Sequence, residues 1–323
     1  MAVFTIIPKD VLIDHLTLFN IGTLVSFAGI NEGVENTNYM VETTKGKFIL
    51  TLFEGRVSIG DLPYYIEFME YLNKRGIPAP GVIAAKSGGK IVPLMSKPSA
   101  ITTFLPGAWP RTITPERAAA GGMLMADMHL KTDGFPLMRT NTLTLNEWRQ
   151  LIVSCGPRAD GVEAGLAAFL QDELAYLAQH MPKPGSLPSG AVHADMFPDN
   201  VFFDGDRLSG VIDFYFACQE AFVYDLMLVI NSWCFDAAGN LDTQKSSALL
   251  KAYHAHRPLS EQERAALPIM GRAAAMRIIA TRLFDLLNPK PGGVVTAKSP
   301  LEHVRILRFH QRASSALEYG VEA

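Results

Sequence analysis

The feature that most constrains this chain is a change of text near Pro106 and Gly107. Before it, short β-prone runs alternate with turns. Residues 38–42 and 48–53 flank Thr43, Thr44, Lys45 and Gly46 and predict a hairpin. One helix follows, with Asp61 placed to cap it, Pro63 in its first turn, Tyr65, Met69 and Leu72 on one apolar face, and Gly76 with Pro78 ending it. Two more extended runs, 81–85 and 90–94, surround the turn Ser87-Gly88-Gly89, and a third covers 100–105. After Gly107 the text turns helical: Thr114 caps and Pro115 starts one helix, and others are expected from Leu143, Glu163, Leu241 and Ser260 onward. A Pro-Gly pair where sheet text stops is a natural hinge. The expectation is therefore an α+β chain of two lobes, a small antiparallel-sheet lobe over 1–106 and a larger, mainly helical lobe over 107–323. Each is long enough to bury its own core.

Composition narrows the partners. Lysine plus arginine total 29 against 32 aspartate plus glutamate, a net charge of −3, with no long run of one sign. Neither nucleic acid nor an anionic membrane surface is an expected partner. Cys155, Cys218 and Cys234 are too few and too far apart for a disulfide framework or a Cys-rich zinc site, which points to a reducing compartment. No secretory signal is read in residues 1–10. The longest uncharged run, 16–31, is broken by Asn20, Gly22, Ser26 and Gly29 and is short for a membrane span, so a cytoplasmic location is expected.

One non-helical island, 191–217, interrupts the helical half, with strands expected at 200–203 and 209–214 around the turn Asp204-Gly205-Asp206. It reads His193-Ala-Asp195-Met-Phe-Pro-Asp-Asn200, and Asp213 follows within Val211-Ile-Asp-Phe214. An H-x-D-x-x-x-x-N run followed by an apolar-apolar-Asp-aromatic element resembles, in order and spacing, the catalytic loop and metal-binding aspartate of protein kinases. Phosphoryl transfer to an alcohol needs a carboxylate that orients the hydroxyl and takes its proton, a role in which Asp195 is placed. It also needs Mg²⁺ held by hard oxygens, which Asn200 and Asp213 can supply. His193 is read as holding the loop through backbone hydrogen bonds. Asp199 and Asp204 are read as loop and turn residues.

With Ile212-Asp213-Phe214, the 193–200 run resembles the signature of the aminoglycoside phosphotransferase family, small-molecule kinases of protein-kinase-like bilobal fold. Residues 29–39, 48–54, 76–80, 206–218 and 231–235 further resemble the bacterial homoserine kinases of that fold. The resemblance runs over most of the chain. It implies ATP and Mg²⁺ as cofactors, L-homoserine as the small-molecule acceptor, Asp195 as catalytic base with His193 structural to the site, and Asn200 and Asp213 as metal ligands. It further implies that the 102–105 segment, with Thr103, Phe104 and Leu105, meets adenine through its backbone, and that Gly29 and Gly33 let a loop approach the phosphates.

One position departs from the family pattern. Thr51 stands where relatives carry a phosphate-binding lysine or arginine on the third strand. Lys47, on the same strand face, is one substitute, and Glu67 matches the helix glutamate that would pair with such a cation. An amino-acid acceptor also needs an arginine fork for its carboxylate, for which Arg277 or Arg282 is favoured over Arg272; Tyr215 and Trp233 are candidate pocket walls, with core packing the weightier reading of both. Other readings stay open: a kinase of choline, ethanolamine, methylthioribose or an aminoglycoside, a nucleotide-binding pseudokinase motivated by Thr51, and a metal-dependent hydrolase using His193, Asp195 and Asp213.

Overall fold

A computed structural model describes residues 4–30, 36–54, 58–289 and 298–321. The chain divides into two compact units: residues 1–107 with Ser209–Tyr215, and Ala108–Leu208 with Phe216–Ala323. A single boundary at Pro106 therefore omits one feature, the return of the short Asp213 segment to the first unit.

The first unit is built on an antiparallel sheet. Its strands are β1 (Leu24–Gly29), β2 (Thr37–Thr43), β3 (Gly46–Leu52), β4 (Val82–Ile83), β5 (Val92–Leu94) and β6 (Lys97–Thr103), in spatial order β1-β2-β3-β6-β4 with β5 also on β6. The expected hairpin is β2–β3, with Thr43 opposite Gly46 and Thr37 opposite Leu52. Alternation puts Phe48, Leu50 and Leu52 on one face. There they join Tyr39, Val41 and Ile101 in a core with Leu12 and Leu16 of a helix that the sequence reading did not anticipate, α1 (Lys9–Leu16). That helix is only eight residues long and has no side-chain cap, so its sequence signal is weak. The next helix, α2 (Leu62–Asn73), buries Tyr65, Met69 and Leu72 as its pattern predicts, but Asp61 makes no side-chain capping bond.

The second unit is mainly helical: α3 (Pro115–Lys131), α4 (Leu145–Cys155), α5 (Leu166–His180), α6 (Phe222–Trp233), α7 (Thr243–His256), α8 (Glu261–Leu287) and α9 (Leu301–Arg312). Thr114 caps α3 by accepting from the Arg117 N–H, and Ser260 with Glu263 forms a reciprocal capping box at α8. The sequence reading missed α6 because ten of its twelve residues are buried, leaving no polar face to reveal a helical period. In the island and at its two edges lie four short strands: β7 (Ser189–Val192), β8 (Val201–Asp204), β9 (Arg207–Val211) and β10 (Cys218–Ala221). β8 and β9 form the expected hairpin, whereas the pairing of β7 with β10 was not expected.

Candidate active site

β7 runs antiparallel to β10, with Val192 opposite Cys218, and passes directly into the 193–200 loop. His193 is fully buried, and its Nδ1 accepts the Asp195 N–H at 3.2 Å. Ala194 sits at φ 61°, left-handed backbone that costs an alanine about 1–2 kcal/mol. Buried side chains hold it there. Asp225 Oδ1 accepts the Ala194 N–H at 2.9 Å, and Arg277 Nη1 donates to the Ala194 carbonyl. Two residues on, Trp233 Nε1 donates to the Met196 carbonyl at 2.9 Å.

Between these anchors Asp195 keeps its side chain 17% exposed, against 4% for the Arg277 side chain whose Nη2 lies 3.4 Å from Oδ1. Asn200 Nδ2 donates to the Asp195 carbonyl at 2.8 Å and to Oδ2 at 3.2 Å. The result is a carboxylate of fixed orientation on a loop that buries His193, Ala194 and Met196 on either side of it. Such a group can accept a hydroxyl proton without reorganising first. With the Asn200 amide nitrogen committed to Asp195, its oxygen is the donor left for a cation. A neutral amide oxygen is a hard donor of the kind a small divalent ion prefers, and so is a carboxylate such as that of Asp213 in the first unit.

Behind the loop, α3, α6, α7 and α8 supply a buried polar chain. Asp225 Oδ2 accepts from His129 Nε2 at 3.0 Å, and His129 Nδ1 meets the Tyr253 hydroxyl at 2.7 Å. Arg257 Nη1 in turn donates to the Tyr253 oxygen at 3.1 Å and to Glu263 at 2.9 Å. Burial alone would raise the Asp225 carboxyl. The hydrogen bonds from His129 and from the Ala194 N–H outweigh it and hold the carboxyl below its ordinary range. Burial likewise pushes the Tyr253 hydroxyl up, so it stays a proton donor. Sequence reading did not single out Asp225, His129 or Tyr253. A signal existed for the first, since Asp225 is the only charged residue between Ala221 and Phe235.

In the first unit, Asp213 also has left-handed backbone, at φ 67°. Its flanks are fixed: the Phe214 ring lies edge-on to Phe68 at 6.0 Å, and Tyr215 packs against Phe53 and Tyr65. Upstream, the Val211 N–H donates to the Pro78 carbonyl, and a Cβ on Gly210 would come within 2.8 Å of Leu105. The Thr103 N–H is bonded to the Gly81 carbonyl and the Phe104 N–H to that of Lys47, so these two amides of the expected adenine segment are used within the unit. Gly29 ends β1 opposite Tyr39, while Gly33 lies outside the described residues.

Other expected site residues have partners of their own. Thr51 Oγ1 donates to Asn38 Oδ1 at 2.7 Å, a bond within the sheet. Lys47 lies next to Gly46 at the other end of β3, four residues or about 13 Å along the strand, too far to stand in at position 51. Glu67 accepts from Lys90 at 2.6 Å, and the same ammonium binds Glu70, so its cationic partner comes from the segment before β5 and not from β3. Arg282 is engaged by Ser299, Glu302 and His303 of the α9 region. Trp233 is a buried loop anchor, and Tyr215 belongs to an aromatic cluster, as core packing would have them. Arg277 is the arginine brought to Asp195, but its guanidinium is spent on the loop. For the hydrolase reading, His193 turns Nδ1 onto the Asp195 amide, and no group of three His, Cys, Asp or Glu side chains suited to a metal ion occurs among the described residues.

Residues 26–259 match the phosphotransferase enzyme family. Over its full length the chain is 47% identical to the homoserine kinase of Nitrobacter hamburgensis, covering 98% of that protein, and 46% identical to that of Azorhizobium caulinodans, covering 100%. Among solved structures it resembles amicoumacin kinase in complex with AMP-PNP and Ca²⁺ (TM-score 0.71, 16% identity, 94% of this chain and 92% of that one). A microcompartment-associated aminopropanol kinase is similar too (TM-score 0.68, 19% identity, 94% of each chain). At these identities the structural likeness establishes a shared fold.

Proposed function

Because the chain belongs to the phosphotransferase enzyme family, we propose that it transfers the terminal phosphoryl group of ATP to the side-chain hydroxyl of L-homoserine, giving O-phospho-L-homoserine. Full-length identity to homoserine kinases supports the acceptor. The observation that carries the chemistry is the partly exposed Asp195 carboxylate, fixed by Asn200 and Arg277 between the buried residues Ala194 and Met196.

In this reading Asp195 orients the acceptor hydroxyl and takes its proton as the new P–O bond forms. Asn200 serves twice, restraining Asp195 through its amide nitrogen and offering its oxygen, with the Asp213 carboxylate, to magnesium. When bound, that ion neutralises charge on the nucleotide phosphates. The segment from Thr103 to Leu105 receives adenine, and Gly29 opens the loop that covers the phosphates. His193 keeps Asp195 in register from behind.

A panel of alcohols with MgATP, read as ADP release, tests the assignment. Homoserine should give the largest kcat/KM. Preference for choline, ethanolamine, methylthioribose or an aminoglycoside would move the acceptor. Tight MgATP binding with no alcohol turned over would favour the nucleotide-binding regulator that Thr51 suggests.

A further inference from the structure

Arg277 stands on α8, 82 residues from Asp195 in the chain, and is 3% exposed. A buried guanidinium must be paired and hydrogen-bonded. Its partners lie on the 193–200 loop: Nη1 donates to the Ala194 carbonyl, and Nη2 reaches Asp195 Oδ1 at 3.4 Å. The Phe216 ring lies 5.1 Å from the guanidinium carbon.

The Ala194 peptide groups are thus gripped from two sides. An anion, Asp225, takes the N–H, and a cation, Arg277, takes the C=O, at a residue whose left-handed conformation is unfavourable. Asp225 fixes the peptide plane that enters Ala194, and Arg277 the one that leads from it into Asp195. Among these loop anchors, Arg277 differs from Asp225 and Trp233 in reaching the Asp195 carboxylate as well. An arginine used this way has its planar fork directed at the protein and not at the acceptor's carboxylate.

We infer that Arg277 is a positioning residue for phosphoryl transfer: it clamps the Ala194 carbonyl and one Asp195 oxygen, so that the other faces of the carboxylate meet the acceptor hydroxyl in a single orientation. The inference rests on the reading of Asp195 as the group that orients the hydroxyl.

The test compares the intact wild-type chain with Arg277→Lys and Arg277→Met. Steady-state kinetics use MgATP with L-homoserine and with the terminal amino alcohol that is homoserine without its carboxylate. A misplaced reacting group costs about 10²-fold in rate. We expect kcat to fall by about that factor in R277M, and by less in R277K, equally for both alcohols, with KM for homoserine nearly unchanged. Loss of discrimination between the alcohols with kcat for homoserine retained would overturn the inference, because Arg277 would then grip the substrate carboxylate. Wild-type kcat in both variants would overturn it too.

Hydrogen exchange at the amides of residues 194–196 gives a second readout that needs no acceptor. Exchange should quicken in R277M and in R277K, whose ammonium keeps the charge but cannot bridge both oxygens. Unchanged exchange would overturn the clamp whatever alcohol the enzyme uses. Failure of the wild type to phosphorylate either alcohol, with exchange altered as expected, would instead sink the acceptor assignment alone. If R277M does not fold, R277K carries both readouts.

Discussion

The loop around Asp195 and the strand around Thr51 hold their residues by opposite means. On β3 the backbone is regular, every second side chain enters an apolar core, and neighbouring strands satisfy the peptide groups. Thr51 needs nothing from afar, and its hydroxyl closes a short bond to Asn38 on the adjacent strand. The 193–200 loop has no ladder to rely on. Its peptide groups at 194 and 196 are held by Asp225, Arg277 and Trp233, buried side chains from α6 and α8. A strand tolerates exchange of one polar side chain. An irregular loop whose peptide groups face buried charges does not, because each lost partner leaves a desolvated polar group behind.

The largest expected effect is chemical. Asp195→Ala should lower turnover by about 10² to 10⁴, measured as ADP release with saturating homoserine, since a positioned base contributes that much. Near-normal turnover would remove the loop from the mechanism and with it the contrast drawn above. Next, Asp225→Ala should cost about 3–5 kcal/mol in urea unfolding, because His129 and the Ala194 N–H lose their buried acceptor. A loss no larger than that of an ordinary surface substitution would show that the loop stands without its staples.

Acid should weaken the helical unit through its buried histidines. His310 is fully enclosed between Tyr319 and Asn231, and His303 is buried on the same helix, α9; burial pushes both down to about 3 from 6.5, with Arg272 adding to the shift at His310 and Arg282 first among the charges that add to it at His303. Asn231 donates to the Gly271 carbonyl and so turns its oxygen to His310 Nε2, which fixes the proton there and leaves Nδ1 to accept from Tyr319. Between pH 6.5 and 3 the unfolded chain binds protons that these folded sites refuse. Their contribution is therefore complete above 6.5 and declines on acidification, by about 1.4 kcal/mol per pH unit for each histidine. Urea midpoints measured from pH 7 to pH 5 should show this slope, less steep in His310→Gln. The smallest effect belongs to the sheet: Thr51→Val should cost about 0.5–1.5 kcal/mol, the usual worth of one hydrogen bond. A loss several times larger would mean that β3 is also stapled.

Much of this was legible in the sequence. The β2–β3 hairpin follows from alternation and its Thr-Thr-Lys-Gly turn, and α3 and α8 follow from Thr114 with Pro115 and from Ser260 with Glu263. Spacing alone singles out Asp195, Asn200 and Asp213. The almost wholly buried α6 was not legible, nor was α1 with its two turns and no cap, nor β7 in text rich in proline and glycine. Reading Arg277 and Arg282 as candidates for one fork could not divide their roles. Five residues along a helix turn them apart, one toward Ala194 and Asp195, the other toward α9.

What the amino-acid order determined alone is local: which segments pair or coil, and which short run carries oxygen donors at kinase-like intervals. Those properties depend on neighbours within a few residues, through alternation, capping and turn chemistry. Only the tertiary structure decided that Asp225, His129 and Arg277, drawn from three helices, brace Ala194 and Asp195, and that Lys90 is the cation beside Glu67. Such pairings are set by packing between elements distant in the chain. Their reason is physical: a buried charge or peptide group must be satisfied, and the chain does so with whichever side chain the fold brings within reach.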